Sequence, residues 1–152
     1  MGEQMNIPKY LSGVRCLFLD TAPVIYYVEA HPLYLPKVEK IFDLTDTGLL
    51  TAVTSPITLS ECLILPYRLK SEELEQKFSA LIIGGSNTIF MPIDDSIAKQ
   101  AAKLRARYNL SLADALQVAT ALAAGCDAFL TNDIALKRVQ ELKILVIDEI
   151  PV

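Results

Sequence analysis

Two kinds of apolar run alternate along this chain. Short, nearly unbroken runs read as buried strands, and longer ones with apolar residues three and four apart read as amphipathic helices. The first short run, Val14–Leu19, stops at Asp20. Thr21 can cap the next helix, Pro23 suits a first helical turn, and that helix, from Val24 to about Ala30, ends near His31-Pro32. Leu35, Val38, Ile41 and Phe42 then recur at helical spacing over 34–47, with Gly48 as the stop and 49–54 as a second strand. Ser55-Pro56 opens a helix that contains Thr58, Glu61 and Leu65 and is expected to end near Pro66. Ser71-Glu72-Glu73 opens another, with Leu74, Phe78, Leu81 and Ile82 as its stripe and Gly84-Gly85 as its end. A third strand is expected at 88–92. Asp94 or Asp95 caps a helix through Tyr108, with Ile97, Ala101, Leu104 and Tyr108 inward. Ser111–Ala124 is the next helix, stopped by Gly125. A strand at 128–131, a short helix at 134–139 and a strand at 144–147 complete the series, behind a polar lead-in over 1–13 broken by Pro8 and Gly13.

Strands separated throughout by helical segments, with no hairpin signal, predict an α/β fold around a parallel sheet. No repeat, low-complexity tract or linker divides the chain, so a single domain over 1–152 is expected. Right-handed crossovers would place helices on both faces and a ligand beyond the carboxyl ends of the strands. Asp20 and Asp133 each stand where an expected strand ends.

Composition narrows the chemistry. At 52 % hydrophobic residues the chain can bury a sheet, and no apolar run is long enough to span a bilayer. The first ten residues carry neither a signal-peptide pattern nor a myristoylation pattern, so a cytoplasmic protein is expected. Cys16, Cys62 and Cys126 are odd in number, form no C-x-x-C pair and read as small buried hydrophobes. His31, the sole histidine, precedes Pro32 and suits a loop or capping role. A net charge of −4 argues against broad coating of nucleic acid by a basic surface. Lys99, Lys103, Arg105 and Arg107, with Lys137-Arg138, are dense enough for local basic patches or for solvated helix faces.

Four acids stand out. Asp20 directly after L-F-L is costly to bury unless it is paired, capping or bound to a cation. Asp114 completes the capping box Ser111-Leu112-Ala113-Asp114. Glu61 shares a helix face with Ile57 and Leu65, leaving little polar face for it to occupy. Asp133 can cap the short helix after it. A structural role suffices for each acid alone, but parallel topology can converge several of them on one edge of the sheet. Crowded carboxylates repel one another at neutral pH. Hard divalent cations with oxygen ligands, Mg2+ or Mn2+, relieve that repulsion and support phosphodiester cleavage without a histidine or a nucleophilic side chain. Phosphate-cradling glycine loops and a G-x-S-x-G elbow are absent from the sequence, and Ala22 stands where aspartyl phosphatases carry a second Asp.

L-F-L-D-T at 17–21, S-P-I-T-L-S-E at 55–61, L-A-D-A-L-Q-V-A-T-A-L at 112–122 and F-L-T-N-D at 129–133 come in an order that resembles the PIN domain family, and within it the VapC-like toxin ribonucleases. The resemblance implies a three-layer α/β/α sandwich with a five-stranded parallel sheet in the order 3-2-1-4-5. It implies that Asp20 and Asp114 are principal metal ligands, that Glu61 and Asp133 complete the acidic quartet or bind a second ion through water, and that Thr131 and Asn132 line the substrate pocket. It further implies Mg2+- or Mn2+-dependent cleavage of single-stranded RNA, homodimerisation and, for the toxin branch, a cognate antitoxin protein. Two other readings stand beside it: a catalytically silent PIN-like binding module, and a metal-dependent nuclease acting on DNA.

Overall fold

The computed structural model of the chain describes residues 7–151. Its five strands are Cys16–Leu19 (β1), Thr51–Thr54 (β2), Thr88–Phe90 (β3), Ala128–Thr131 (β4) and Lys143–Val146 (β5). They form one parallel sheet in the order β3-β2-β1-β4-β5, with Phe18 in register with Val53 on one side and Phe129 on the other. Six α-helices connect them: Thr21–Val28 (α1), Leu35–Asp46 (α2), Pro56–Leu69 (α3), Glu72–Gly84 (α4), Asp95–Tyr108 (α5) and Leu112–Ala123 (α6).

Alternation along β1 divides the core. Leu17 and Leu19 join Val24, Val38, Ile41, Cys62, Phe78 and Ile82 under α1–α4, whereas Phe18 joins Ile97, Leu104, Val118 and Phe129 under α5 and α6. Both faces of the sheet are therefore covered at its centre, which is why β1 is wholly apolar and β4 nearly so. Phe18 and Phe129 stack across the β1–β4 pair with ring centroids 4.9 Å apart. The arrangement is the three-layer sandwich with the 3-2-1-4-5 order that the resemblance implies. Among the described residues no helix is long and apolar enough to cross a membrane.

Several local expectations need correction. Helix α1 begins at Thr21, not Val24, because Asp20 in extended backbone caps it and Thr21 is already helical. Pro66 does not end α3; it is buried inside the helix, which runs three residues further and closes at Lys70 with φ +54°. The strand expected at 88–92 ends at Phe90, and the last one spans 143–146. The polar lead-in is more than a leader over its second half. Lys9–Leu11 forms a 3-10 turn and Leu11 is 1 % exposed in the core, whereas residues 1–6 of that lead-in lie outside the described residues.

Candidate functional site

In a parallel sheet of this order the chain reverses its winding between β1 and β4, and the crevice there opens at the strands' carboxyl ends. Asp20 comes directly after β1 at that point, and its backbone N–H still reaches the Leu130 carbonyl at 3.0 Å. Thr131 ends β4 beside it, with Asn132 and Asp133 next along the chain. Helix α6 runs back from this edge, so its first turn, with Asp114, stands over the same crevice. Helix α3 starts here too, directly after β2, and carries Glu61 in its second turn.

Asp20 is the most enclosed of the four acids. Its Oδ1 accepts from the Thr21 backbone N–H at 2.9 Å and from Gln117 Nε2 at 3.4 Å. Its Oδ2 accepts from Thr131 Oγ1 at 2.8 Å. Burial pushes the carboxyl pKa up and the nearby Asp114 adds to the rise, while the donors from Thr21, Thr131 and Gln117 oppose it. Asp114 is half-buried, and the Ser111 hydroxyl accepts its backbone N–H at 3.1 Å, which makes the serine half of the expected capping box. Its pKa is also raised, first by burial; the Ser111 hydrogen bond opposes this, Asp133 and Glu61 reinforce it, and Arg138 lowers it. Asp20, Asp114, Glu61 and Asp133 thus lie near enough for their charges to be felt from one to the next.

Glu61 and Asp133 are exposed on the rim. Glu61 Oε1 accepts from Thr21 Oγ1 at 2.5 Å, tying α3 to the start of α1. The expectation of an apolar face around Glu61 holds in sequence but not in burial: Leu65 is 42 % and Ile64 48 % exposed, so the helix shows that face to solvent. Asp133 caps the short 3-10 helix Ile134–Arg138 by accepting from Ala135 N at 3.0 Å.

Thr131 and Asn132 have defined partners. Thr131, 1 % exposed, donates to Asp20 and accepts from Asp133 N at 3.1 Å. Asn132 Nδ2 donates to Tyr26 Oη at 3.1 Å and its Oδ1 accepts from Asp148 N at 2.9 Å. His31 caps its loop, with Nδ1 accepting from Leu33 N at 3.1 Å. Of the basic residues, Arg107 pairs with Glu141 and Lys137 with Glu149, whereas Arg105 and Arg138 hold the carbonyls of Leu110 and Asn109 on the turn outside Asp114.

Sequence reasoning missed the buried polar group beneath the acids. Ser55, Thr58 and Gln117 are each within 1 % of full burial and bond to one another. Gln117 had a signal, as the lone amide in an otherwise apolar helix stripe three residues after Asp114. Among the described residues, no three His, Cys, Asp or Glu side chains converge closely enough to hold a cation as they stand.

The family model of the PIN domain matches residues 17–142 of the chain. No curated protein matches it in sequence. Among solved structures, VapBC2 from Rickettsia felis, bound to a promoter DNA fragment, is 23 % identical with a TM-score of 0.64, covering 86 % of this chain and 98 % of that one. A toxin–antitoxin complex from Klebsiella pneumoniae is 19 % identical with a TM-score of 0.67, over 88 % and 99 % of the two chains. VapC20 from Mycobacterium tuberculosis, a toxin that cleaves the sarcin–ricin loop, is 16 % identical with a TM-score of 0.62, over 74 % and 86 %. Identities at this level speak for the fold alone.

Proposed function

The chain belongs to the PIN domain family, and from that premise we propose that it is a Mg2+- or Mn2+-dependent endoribonuclease cleaving single-stranded RNA, acting as the toxin of a toxin–antitoxin pair. The observation that carries the reading is the placement of Asp20 and Asp114 over one crevice, with Asp20 fixed on both oxygens by Thr131, Thr21 and Gln117. Glu61 and Asp133 stand exposed on the same rim.

The donor set suits a hard cation. All four candidate ligands are carboxylates, and Mg2+ is commonly held by one or two carboxylates while keeping several waters. Asp20 and Asp114 would hold the ion directly, and Glu61 and Asp133 through water. When bound, such a cation supplies stabilisation of the charge that develops on a phosphodiester. The protein's own part is to keep Asp20 in one orientation through Thr131 and Gln117, and to anchor Asp114 on the first turn of α6. Glu61 and Asp133, open to solvent, would hold and move protons at the rim. Asn132 would shape the wall of the pocket, with Thr131 buried behind it and holding Asp20.

The neighbours bear on partners. Several are toxin–antitoxin complexes, which supports a cognate antitoxin for this chain, and one is a toxin that cleaves the sarcin–ricin loop, which supports RNA as substrate. A homodimer fits the apolar residues exposed along the second half of α3, Leu65, Tyr67 and Leu69 among them.

One observation favours a second reading, a silent PIN-like binding module: Asp20 and Asp133 already cap helices, Asp114 stands in the first turn of α6 where a negative charge suits the helix start, and Glu61 already has Thr21. A substrate panel separates the readings. Purified protein is given single-stranded RNA, duplex RNA and single-stranded DNA with Mn2+, Mg2+ or EDTA. Cleavage of single-stranded RNA that EDTA abolishes supports the nuclease, cleavage of DNA alone redirects the substrate, and no cleavage of any of them leaves the binding module.

A further inference from the structure

We propose that Gln117 is a positioning residue for the acid site, its single buried amide setting the orientation of Asp20 relative to the elements that carry Asp114 and Glu61. The proposal rests on the metal-dependent reading above and deepens it.

Gln117 is 1 % exposed and lies one turn beyond Asp114 on α6. Its Oε1 accepts the Ser55 hydroxyl proton, and its Nε2 donates to Thr58 Oγ1 at 2.8 Å and to Asp20 Oδ1 at 3.4 Å. The amide therefore touches the start of α3 twice and the end of β1 once, while belonging to α6. Those three elements carry Glu61, Asp20 and Asp114.

Only one amide orientation fits. Ser55 caps α3, and its oxygen already accepts from Ile57 N at 3.1 Å and Thr58 N at 3.2 Å. Both lone pairs are used, so the one hydroxyl proton must go to an acceptor, and Gln117 Oε1 is that acceptor. The NH2 group is thereby turned toward Thr58 and Asp20. A flipped amide would set the Ser55 O–H against NH2 and the Asp20 carboxylate against a carbonyl oxygen. Thr58 Oγ1 closes the circuit by donating to the Leu19 carbonyl at 3.3 Å, on the residue before Asp20. The helix cap thus dictates the amide, and the amide dictates which oxygen of Asp20 is held. Without it, Asp20 Oδ1 keeps only the Thr21 N–H.

A buried amide between three elements also serves packing, so the test must read something packing alone does not move. Residues that orient a metal ligand typically change metal affinity 10–100-fold when lost. Mn2+ is titrated calorimetrically into the full chain as wild type, Q117M, Q117E, S55A and the S55A/Q117M double variant, each with a thermal melt. Q117M keeps length and loses the amide; Q117E keeps the acceptor for Ser55 and turns an oxygen toward Asp20. The expected result is Mn2+ binding weakened about 10–100-fold in folded Q117M and at least as much in Q117E. S55A, which frees the amide to flip, should show a smaller loss that adds nothing when combined with Q117M. At saturating Mn2+ the KM for RNA should not change. A folded Q117M with wild-type Mn2+ affinity, or S55A and Q117M losses that simply add, would overturn the proposal. If Q117M does not fold, S55A with unchanged affinity does so instead. Absence of Mn2+ binding by the wild type would remove the metal-dependent reading itself, a result distinct from either.

Discussion

Thr131→Val tests how the site holds a buried carboxylate. The substitution replaces one hydroxyl by a methyl at a position 1 % exposed, leaving the β4 backbone and the volume nearly unchanged. It removes the donor that reaches Asp20 Oδ2 at 2.8 Å and the acceptor of the Asp133 N–H. A hydrogen bond to a charged group contributes roughly 1.5–3 kcal/mol. The Asp133 N–H lies at the exposed rim and finds water, and the added buried methyl returns about 0.8 kcal/mol. The net loss should be about 1–2 kcal/mol at neutral pH, or a Tm lower by about 2–8 °C for a chain of this size. Urea denaturation at pH 7.5 measures it directly. Repeated at the lowest pH where the protein stays folded, the deficit should shrink, because a protonated Asp20 no longer needs a charge-assisted donor. A variant within about 0.5 kcal/mol of wild type at neutral pH, or a deficit independent of pH, would refute the reasoning.

The same geometry sets other expectations. Asp20→Asn should raise stability at pH 8 while abolishing metal binding. The folded pKa of Asp20 is raised by burial, so the unfolded chain loses its proton first; wild-type stability then falls as pH rises from the ordinary carboxylate range to the folded pKa and is level above it. The advantage of the Asn variant should grow across that window, and a constant or reversed difference in urea melts would count against it. Leu11→Ala should cost roughly 2–5 kcal/mol, since Leu11 is fully enclosed in the core cluster that holds Leu17 and Leu19. A loss under about 1 kcal/mol would show that the 3-10 turn is not part of the core. Burial pushes the Cys62 thiol up to about 12, so native protein at pH 8 should leave it unmodified by iodoacetamide over a time that alkylates it fully in urea. Mass spectrometry of the native sample showing Cys62 modified first would contradict this.

Much of this molecule is legible in its sequence because local signals and tertiary structure agree. Ser55, Ser71, Asp94 and Ser111 read as helix openers, and each accepts a backbone N–H as a cap. Asp20 and Asp133 read as strand-end acids, and the topology sets those two strand ends beside each other. The failures have physical causes. Pro66 lacks an N–H but sits in the last turns of α3, where burial of its ring outweighs one missing bond. Leu11 lies between the breakers Pro8 and Gly13, in a stretch with no periodicity to betray its burial. Glu61 does share a helix face with apolar residues, yet burial cannot be read from composition, and that face is open. The Ser55–Gln117–Thr58 network joins residues about sixty positions apart. No spacing rule in a single chain reports such a pairing.

The proposed RNA cleavage requires Asp20 and Asp114 to hold a divalent cation. The most direct test incubates a labelled single-stranded RNA with wild type, Asp20→Asn and Asp114→Asn, each shown to be folded, with Mn2+ and again after EDTA. Cleavage is expected from the wild type with Mn2+ only, with loss of at least two orders of magnitude in both variants, about 2.7 kcal/mol or more of transition-state stabilisation. Undiminished, EDTA-resistant cleavage by both variants would contradict it.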